Sequence, residues 1–151
     1  MIIAPQPKRF LPGEGKTYQL GRITLTFKTD GADSGGAYTL CEAIEPPESG
    51  AGLHRHPSYD ETFIICEGRY EFQLAEKALA LGPGDMVFVP RGTAHGFKSL
   101  GPETGRQLII SSPGGIFNAF IDEVVTSMRD NNGAATDFRA IAAKYGTEFL
   151  A

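Results

Sequence analysis

Cysteine is scarce in this chain: Cys41 and Cys66 are the only two among 151 residues, too few for a disulfide framework. Both lie inside apolar runs, where a thiol behaves as a small buried hydrophobe, so no bond between them is expected. Basic runs are missing as well. Fourteen Lys+Arg are outnumbered by eighteen Asp+Glu, giving a formal charge of -4, and no cluster of cations marks a nucleic-acid or anionic membrane partner. Long apolar runs are also absent. Met1-Ile2-Ile3-Ala4 is broken at once by Pro5 and Pro7, so the N-terminus has neither the apolar core of a secretory signal nor the length of a membrane span. A cytoplasmic protein is the expectation that remains. With no internal repeat and no linker, the length suits one domain over 1–151.

Glycine and proline, by contrast, are plentiful at 19 and 10 residues, and they punctuate short stretches instead of forming a low-complexity tract. That is the pattern of an all-β protein. Residues 22–28 alternate strictly, with Ile23, Leu25 and Phe27 on one face and Thr24 and Thr26 on the other, which predicts a half-buried strand. Further strand-length runs occupy 37–44, 61–66, 69–74, 77–81, 86–89, 94–98 and 107–111, separated by turn signals such as Glu67-Gly68 and Gly82-Pro83-Gly84. So many short strands call for a sandwich or barrel, over about 16–112, and tight connections make neighbours antiparallel. Beyond Ser112-Pro113-Gly114-Gly115 the period changes. Phe117, Phe120, Ile121, Val124, Val125 and Met128 form a stripe at helical spacing over about 116–129. Asn131-Asn132-Gly133 ends that helix, and a shorter one follows over about 136–145, capped by Thr136 or Asp137 and stopped by Gly146. Both stripes are expected to pack on the barrel.

The three histidines, His54, His56 and His95, all sit beside Gly or Pro turn signals at strand ends. His54 and His56, two apart, project from the same face of a strand, with nitrogens close enough to share one ion. After the turn 57–60, Glu61 opens the next strand and brings its carboxylate back beside them. His95, at the start of a later strand, is the natural fourth ligand. Imidazole and carboxylate together suit one divalent ion, Fe(II), Mn(II), Ni(II) or Zn(II).

These residues resemble a known family. Gly52-Leu-His54-Arg-His56-Pro-Ser-Tyr-Asp-Glu61-Thr-Phe-Ile-Ile-Cys-Glu-Gly68 resembles the first cupin motif, and Gly84-Asp-Met-Val-Phe-Val-Pro90-Arg-Gly92-Thr-Ala-His95 resembles the second. The resemblance implies a cupin-type double-stranded β-helix, a jelly-roll barrel, whose first motif supplies two histidines and a glutamate and whose second supplies one histidine to one divalent metal. By resemblance these are His54, His56, Glu61 and His95. The family spacing also accommodates a carboxylate one position earlier, where Asp60 stands. Two positions depart from the pattern: Glu48 replaces a glycine six before the first histidine, and Ser99 replaces an asparagine four after the last. The SSPGG turn and Phe-rich helix resemble the ends of small single-domain cupins likened to quercetin dioxygenase.

Four protein ligands on an ion that prefers six leave open positions, so the site suits chemistry. A barrel of this size encloses one small molecule. Phe63 and Phe97, each two residues from a ligand, are candidates to touch it, with Tyr70, Phe72 and Arg106 behind them. The expected function is a dioxygenase-type oxidoreductase acting on a small aromatic or enolisable compound, with Glu61 accepting a substrate proton as the quercetinase-like resemblance implies. A metal-dependent isomerase or lyase and a non-catalytic binding module are the other readings. No DNA-binding helix pair accompanies the barrel, against a transcription-factor role. A homodimer is expected from the resemblance and from the sheet edges that an open sandwich exposes.

Overall fold

The computed structural model describes residues 4–132 and 136–150. Ten strands come first: β1 (Lys16–Leu20), β2 (Ile23–Thr29), β3 (Thr39–Glu45), β4 (Gly50–Arg55), β5 (Asp60–Glu67), β6 (Tyr70–Leu74), β7 (Lys77–Leu81), β8 (Met86–Val89), β9 (His95–Ser99) and β10 (Gly105–Ser112). Two helices, α1 (Ile116–Asp130) and α2 (Phe138–Lys144), and a two-residue strand, β11 (Glu148–Phe149), complete the chain. The strands make two sheets, ordered β1-β2-β3-β10-β5-β8 and β11-β4-β9-β6-β7, with every pairing antiparallel. This is the jelly roll that the cupin resemblance implies, and it meets the sandwich or barrel that the strand pattern calls for. β10 slots between β3 and β5, and β9 between β4 and β6, so strands distant in sequence lie side by side.

Alternation decides which side chains enter the barrel. In β3 the buried positions are Thr39, Cys41, Ala43 and Glu45, and in β10 they are Gly105, Gln107, Ile109 and Ser111. Phe63 from β5, Phe72 from β6 and Phe97 from β9 meet in the middle, with ring centroids 5.2 to 5.6 Å apart. Both cysteines are free thiols.

Three strands carry too little pattern to be read from sequence. In β1 only Tyr18 is buried; β4 opens with Gly50-Ala51-Gly52; and β11 is two residues long. Gly50 is required where it stands, because a Cβ there would run into the Phe97 carbonyl of β9. α1 buries Phe120, Ile121 and Val124 against the barrel, and Phe117 packs on Phe27 at 5.5 Å. At its far side Asp122 accepts hydrogen bonds from Tyr18 Oη and Lys16 Nζ. The helix stops at Asn131 and Asn132, the latter at φ 48; Gly133 lies outside the described residues. Of the two candidate caps for α2, Asp137 performs the role, accepting from the Ala140 amide at 2.9 Å. No helix among the described residues is long and apolar enough to cross a membrane.

Candidate metal centre

His54 on β4 is paired in register with His95, the first residue of β9. His56 stands one residue past the end of β4, and Glu61 is second in β5. One ligand atom from each of the four lies within 4.8 Å of all the others. His56 Nε2 and His95 Nε2 approach the same oxygen, Glu61 Oε2, at 2.8 and 3.1 Å. His56, Glu61 and His95 are buried, while His54 is half-buried with its ring 4.3 Å from that of His95.

The other ring nitrogens explain why the group faces inward as it does. His54 Nδ1 donates to the Gly52 carbonyl at 2.7 Å, His56 Nδ1 to that of Tyr59 at 3.0 Å, and His95 Nδ1 to that of Thr93 at 2.9 Å. A carbonyl oxygen only accepts, so each Nδ1 carries a proton and each neutral ring presents a lone pair at Nε2. Three such lone pairs and a carboxylate repel one another unless a proton or a metal cation lies among them. The donor set therefore fits a divalent transition ion, and the backbone carbonyls provide the outer hydrogen bonds that orient metal-binding imidazoles. Where Nε2 of His56 and His95 carries a proton in place of an ion, burial resists ionisation of Glu61, but the hydrogen bonds of His56 and His95 outweigh it and hold the carboxyl at about 2. Burial also opposes charge on His56, yet the adjoining Glu61 carboxylate prevails and raises its pKa. His54 is pushed down to about 4, by burial first and the nearby His95 second.

Comparison with known proteins agrees with this architecture. The family model described as Cupin domain matches residues 41–111, a span that contains all four side chains. Residues 41–111 thus carry a cupin domain. Quercetin 2,3-dioxygenase from Bacillus subtilis is 27% identical over 97 residues, which cover 61% of this chain and 29% of that enzyme. The chain spans less than two thirds of the curated relatives it matches, at 29%, 60% and 58% of their lengths. Among solved structures, KdgF from Halomonas sp. superposes with a TM-score of 0.65 at 19% identity, covering 73% of this chain and 96% of that one. The polyketide cyclase RemF from Streptomyces resistomycificus superposes with a TM-score of 0.63 at 24% identity, covering 71% and 80%. These likenesses show the cupin fold.

Both departures from the cupin pattern have a structural outcome. Glu48 keeps the left-handed backbone that favours glycine, at φ 66, so the turn before β4 is retained at the cost of some strain. Ser99 is buried in β9, and its Oγ has no hydrogen-bond partner among the described residues. Asp60 does not join the ligand group. It faces the other way and holds Arg91 through two side-chain bonds of 3.0 Å and one from the Arg91 amide at 2.8 Å.

A cavity of about 240 Å³ opens beside the cupin's ligand group, and His54, Tyr59, Glu61, Phe63, Phe97 and Glu45 help to line it. Phe63 and Phe97 thus stand where their spacing from the ligands placed them. Tyr70 and Phe72 are fully buried but lie behind Phe97, with Phe72 stacked on it at 5.2 Å. Arg106, expected at the cavity, stands on the outer face of β10 and pairs with Glu42 and Glu67 at 3.1 Å. Its parity in the strand is opposite to that of Gln107, which explains the displacement.

Other contacts were not anticipated from sequence. The Tyr59 ring stacks on His56 at 3.9 Å and 8°, Phe149 of β11 packs 5.4 Å from His54, and Ser111 Oγ stands 3.4 Å from Glu61 Oε1. Only Ser111 and Glu45 left a signal, as polar residues on the inward parity of alternating strands.

Proposed function

We propose that this cupin is a metal-dependent oxidoreductase of the dioxygenase type, acting on a small aromatic or enolisable substrate held in the barrel. The observation that carries this reading is the convergence of three imidazoles and one carboxylate within 4.8 Å at the wall of an aromatic-lined cavity. His54, His56, Glu61 and His95 would hold the ion. When bound, a divalent iron, manganese or nickel ion supplies Lewis acidity and a route for electrons between an electron-rich substrate and dioxygen. The distant relationship to quercetin 2,3-dioxygenase supports the same class of reaction. A structural site would more often be closed and rich in thiolate, and the group found here holds three histidines and a glutamate with no cysteine.

The protein's own groups set up the rest. Phe63 and Phe97 give the cavity flat apolar walls that receive a planar ring and keep water from it. Glu61 is an anion at neutral pH and borders the cavity, so it is placed to take the proton of an enol or phenol. Tyr59, stacked on His56, and the three carbonyl acceptors hold the imidazoles in one orientation.

The test is to load the protein anaerobically with Fe(II), Mn(II) or Ni(II), add flavonols, β-diketones and catechols, and follow oxygen uptake against a Glu61→Gln control. Metal-dependent uptake that the control lacks is the expected result. Tight binding without uptake would replace this reading by a binding module, and turnover equally fast without oxygen by an isomerase or lyase.

A further inference from the structure

A second polar centre lies deeper in the barrel. Glu45, at the end of β3, is buried to 1% exposure yet borders the same cavity as His54 and Glu61. Its Oε2 accepts a hydrogen bond from Tyr70 Oη at 2.6 Å and one from Gln107 Nε2 at 3.0 Å. Gln107 Nε2 also reaches Oε1, at 3.2 Å. A carboxylate offers about four acceptor positions, so Oε1 retains one. Gln107 Oε1 and Ser99 Oγ, both fully buried at the same level, have no partner among the described residues. Gly105, opposite Glu45 in the register, has no room for a Cβ, which would run into Tyr70 Oη. Tyr70 thus fills the space beside Gly105, and Glu45 itself borders the cavity.

Position along β10 fixes the spacing. Gln107 and Ser111 both point inward, and Ser111 meets Glu61 while Gln107 meets Glu45. Four residues of strand separate the two levels by about 13 Å, with the phenylalanine layer and Ile109 between them. We infer that Glu45 is a recognition group for the far end of the ligand: the cavity takes an elongated, planar molecule with metal-binding oxygens at one end and a hydrogen-bond donor, a hydroxyl or amine, at the other. This rests on the functional reading above and narrows its substrate class. A donor reaching Oε1 would satisfy a buried carboxylate, and ligands lacking it would leave that acceptor unpaired, which is how buried polar groups discriminate strongly. Burial raises the Glu45 carboxyl to about 7 against the opposing bonds from Tyr70 and Gln107, so its strength as an acceptor changes within the physiological range. The titratable groups acting with it are Tyr70 from β6 and Cys41 on its own strand, with Cys66 acting on Tyr70; Glu61 and His54 face it across the cavity.

The experiment compares two probes that differ by one hydroxyl, 4-phenylcatechol and 4-(4-hydroxyphenyl)catechol. Both are titrated anaerobically by calorimetry into the Zn(II)-loaded protein, where no redox turnover intervenes. The hydroxylated probe is expected to bind about tenfold tighter or better. That ratio should rise between pH 6 and pH 8 as Glu45 ionises, because catechol deprotonation is common to both probes and cancels. In Glu45→Gln, which keeps the shape of the side chain, the ratio should fall below about threefold and lose its pH dependence. Equal affinity of the two probes, or a ratio unchanged in Glu45→Gln, overturns the assignment of Glu45 and leaves the metal-centred reading standing. Failure of both probes to bind overturns the two together.

Discussion

Glu45→Gln offers a test of the electrostatics of the barrel that needs no ligand. The folded protein holds the Glu45 proton up to about pH 7, whereas the same carboxyl in an unfolded chain releases it near 4.5. Between those values the folded state binds a proton that the unfolded chain has released, so stability falls as pH rises through the window and levels off above it. The difference corresponds to a loss of about 3 kcal/mol between pH 4 and pH 8, with burial as the cause and the Tyr70 and Gln107 bonds already counted against it. The amide that replaces the carboxyl does not ionise. Its oxygen can accept from Tyr70 Oη and from Gln107 Nε2, while its nitrogen finds an acceptor in Gln107 Oε1 only if that amide turns over, a cost that does not vary with pH. Urea unfolding of both proteins at half-unit steps from pH 4.5 to pH 8.5 isolates the effect, since carboxylates common to both cancel in the difference. The variant should gain on the parent by about 2 to 3 kcal/mol across that range. A stability difference that does not vary with pH would refute the reasoning, because Glu45 would then titrate alike in the folded and unfolded chain.

Other consequences are open to measurement. After loading with Zn(II) and dialysis, metal analysis should find about one ion per chain in the parent and in Asp60→Asn, and at least about tenfold weaker retention in His56→Ala and Glu61→Gln. Phe120→Ala removes a buried ring that packs on Phe138 and Tyr145 and lines the cavity, and denaturant unfolding should show a loss of about 3 to 5 kcal/mol; a loss under about 1 kcal/mol would mean that the ring is not packed there. Glu48→Gly relieves the left-handed backbone at φ 66 and should stabilise by up to about 1 kcal/mol, read as a raised Tm with unchanged metal content.

Much of the centre was legible because its chemistry is local. His54, His56 and Glu61 fall within eight residues, and their types and spacing carry the ligand pattern without any knowledge of tertiary contacts. His95 was legible through its own motif of turn residues. β2 showed its alternation plainly, and β5 was legible as a strand-length run between turn signals. β1 did not, since Tyr18 alone is buried, and β11 could not, since a two-residue strand has no period. The motif already pointed to Glu61 over Asp60, and the pairing of Asp60 with Arg91 supplies the physical reason; the misplacement of Arg106 came from strand parity, which a bulge between Arg106 and Gln107 further obscures. Phe149 touches His54 only through the folded chain, so nothing in its neighbourhood announced it, and Tyr59, though it lies in the turn between His56 and Glu61, gave no sign by its type that it would stack on His56.

The insertion of β9 between β4 and β6, and of β10 between β3 and β5, also sets the order in which the centre comes into being. His54, His56 and Glu61 are near one another in the nascent chain, but His95 joins them only when β9 has entered its sheet, and the Ser111 contact to Glu61 waits for β10. Pairings this distant in sequence must close long loops before they gain any contact, and they are slow for that reason. The complete four-donor set is therefore a product of the finished fold, and an ion that prefers it acts as a latch on the native barrel, not as a template for the collapsing chain.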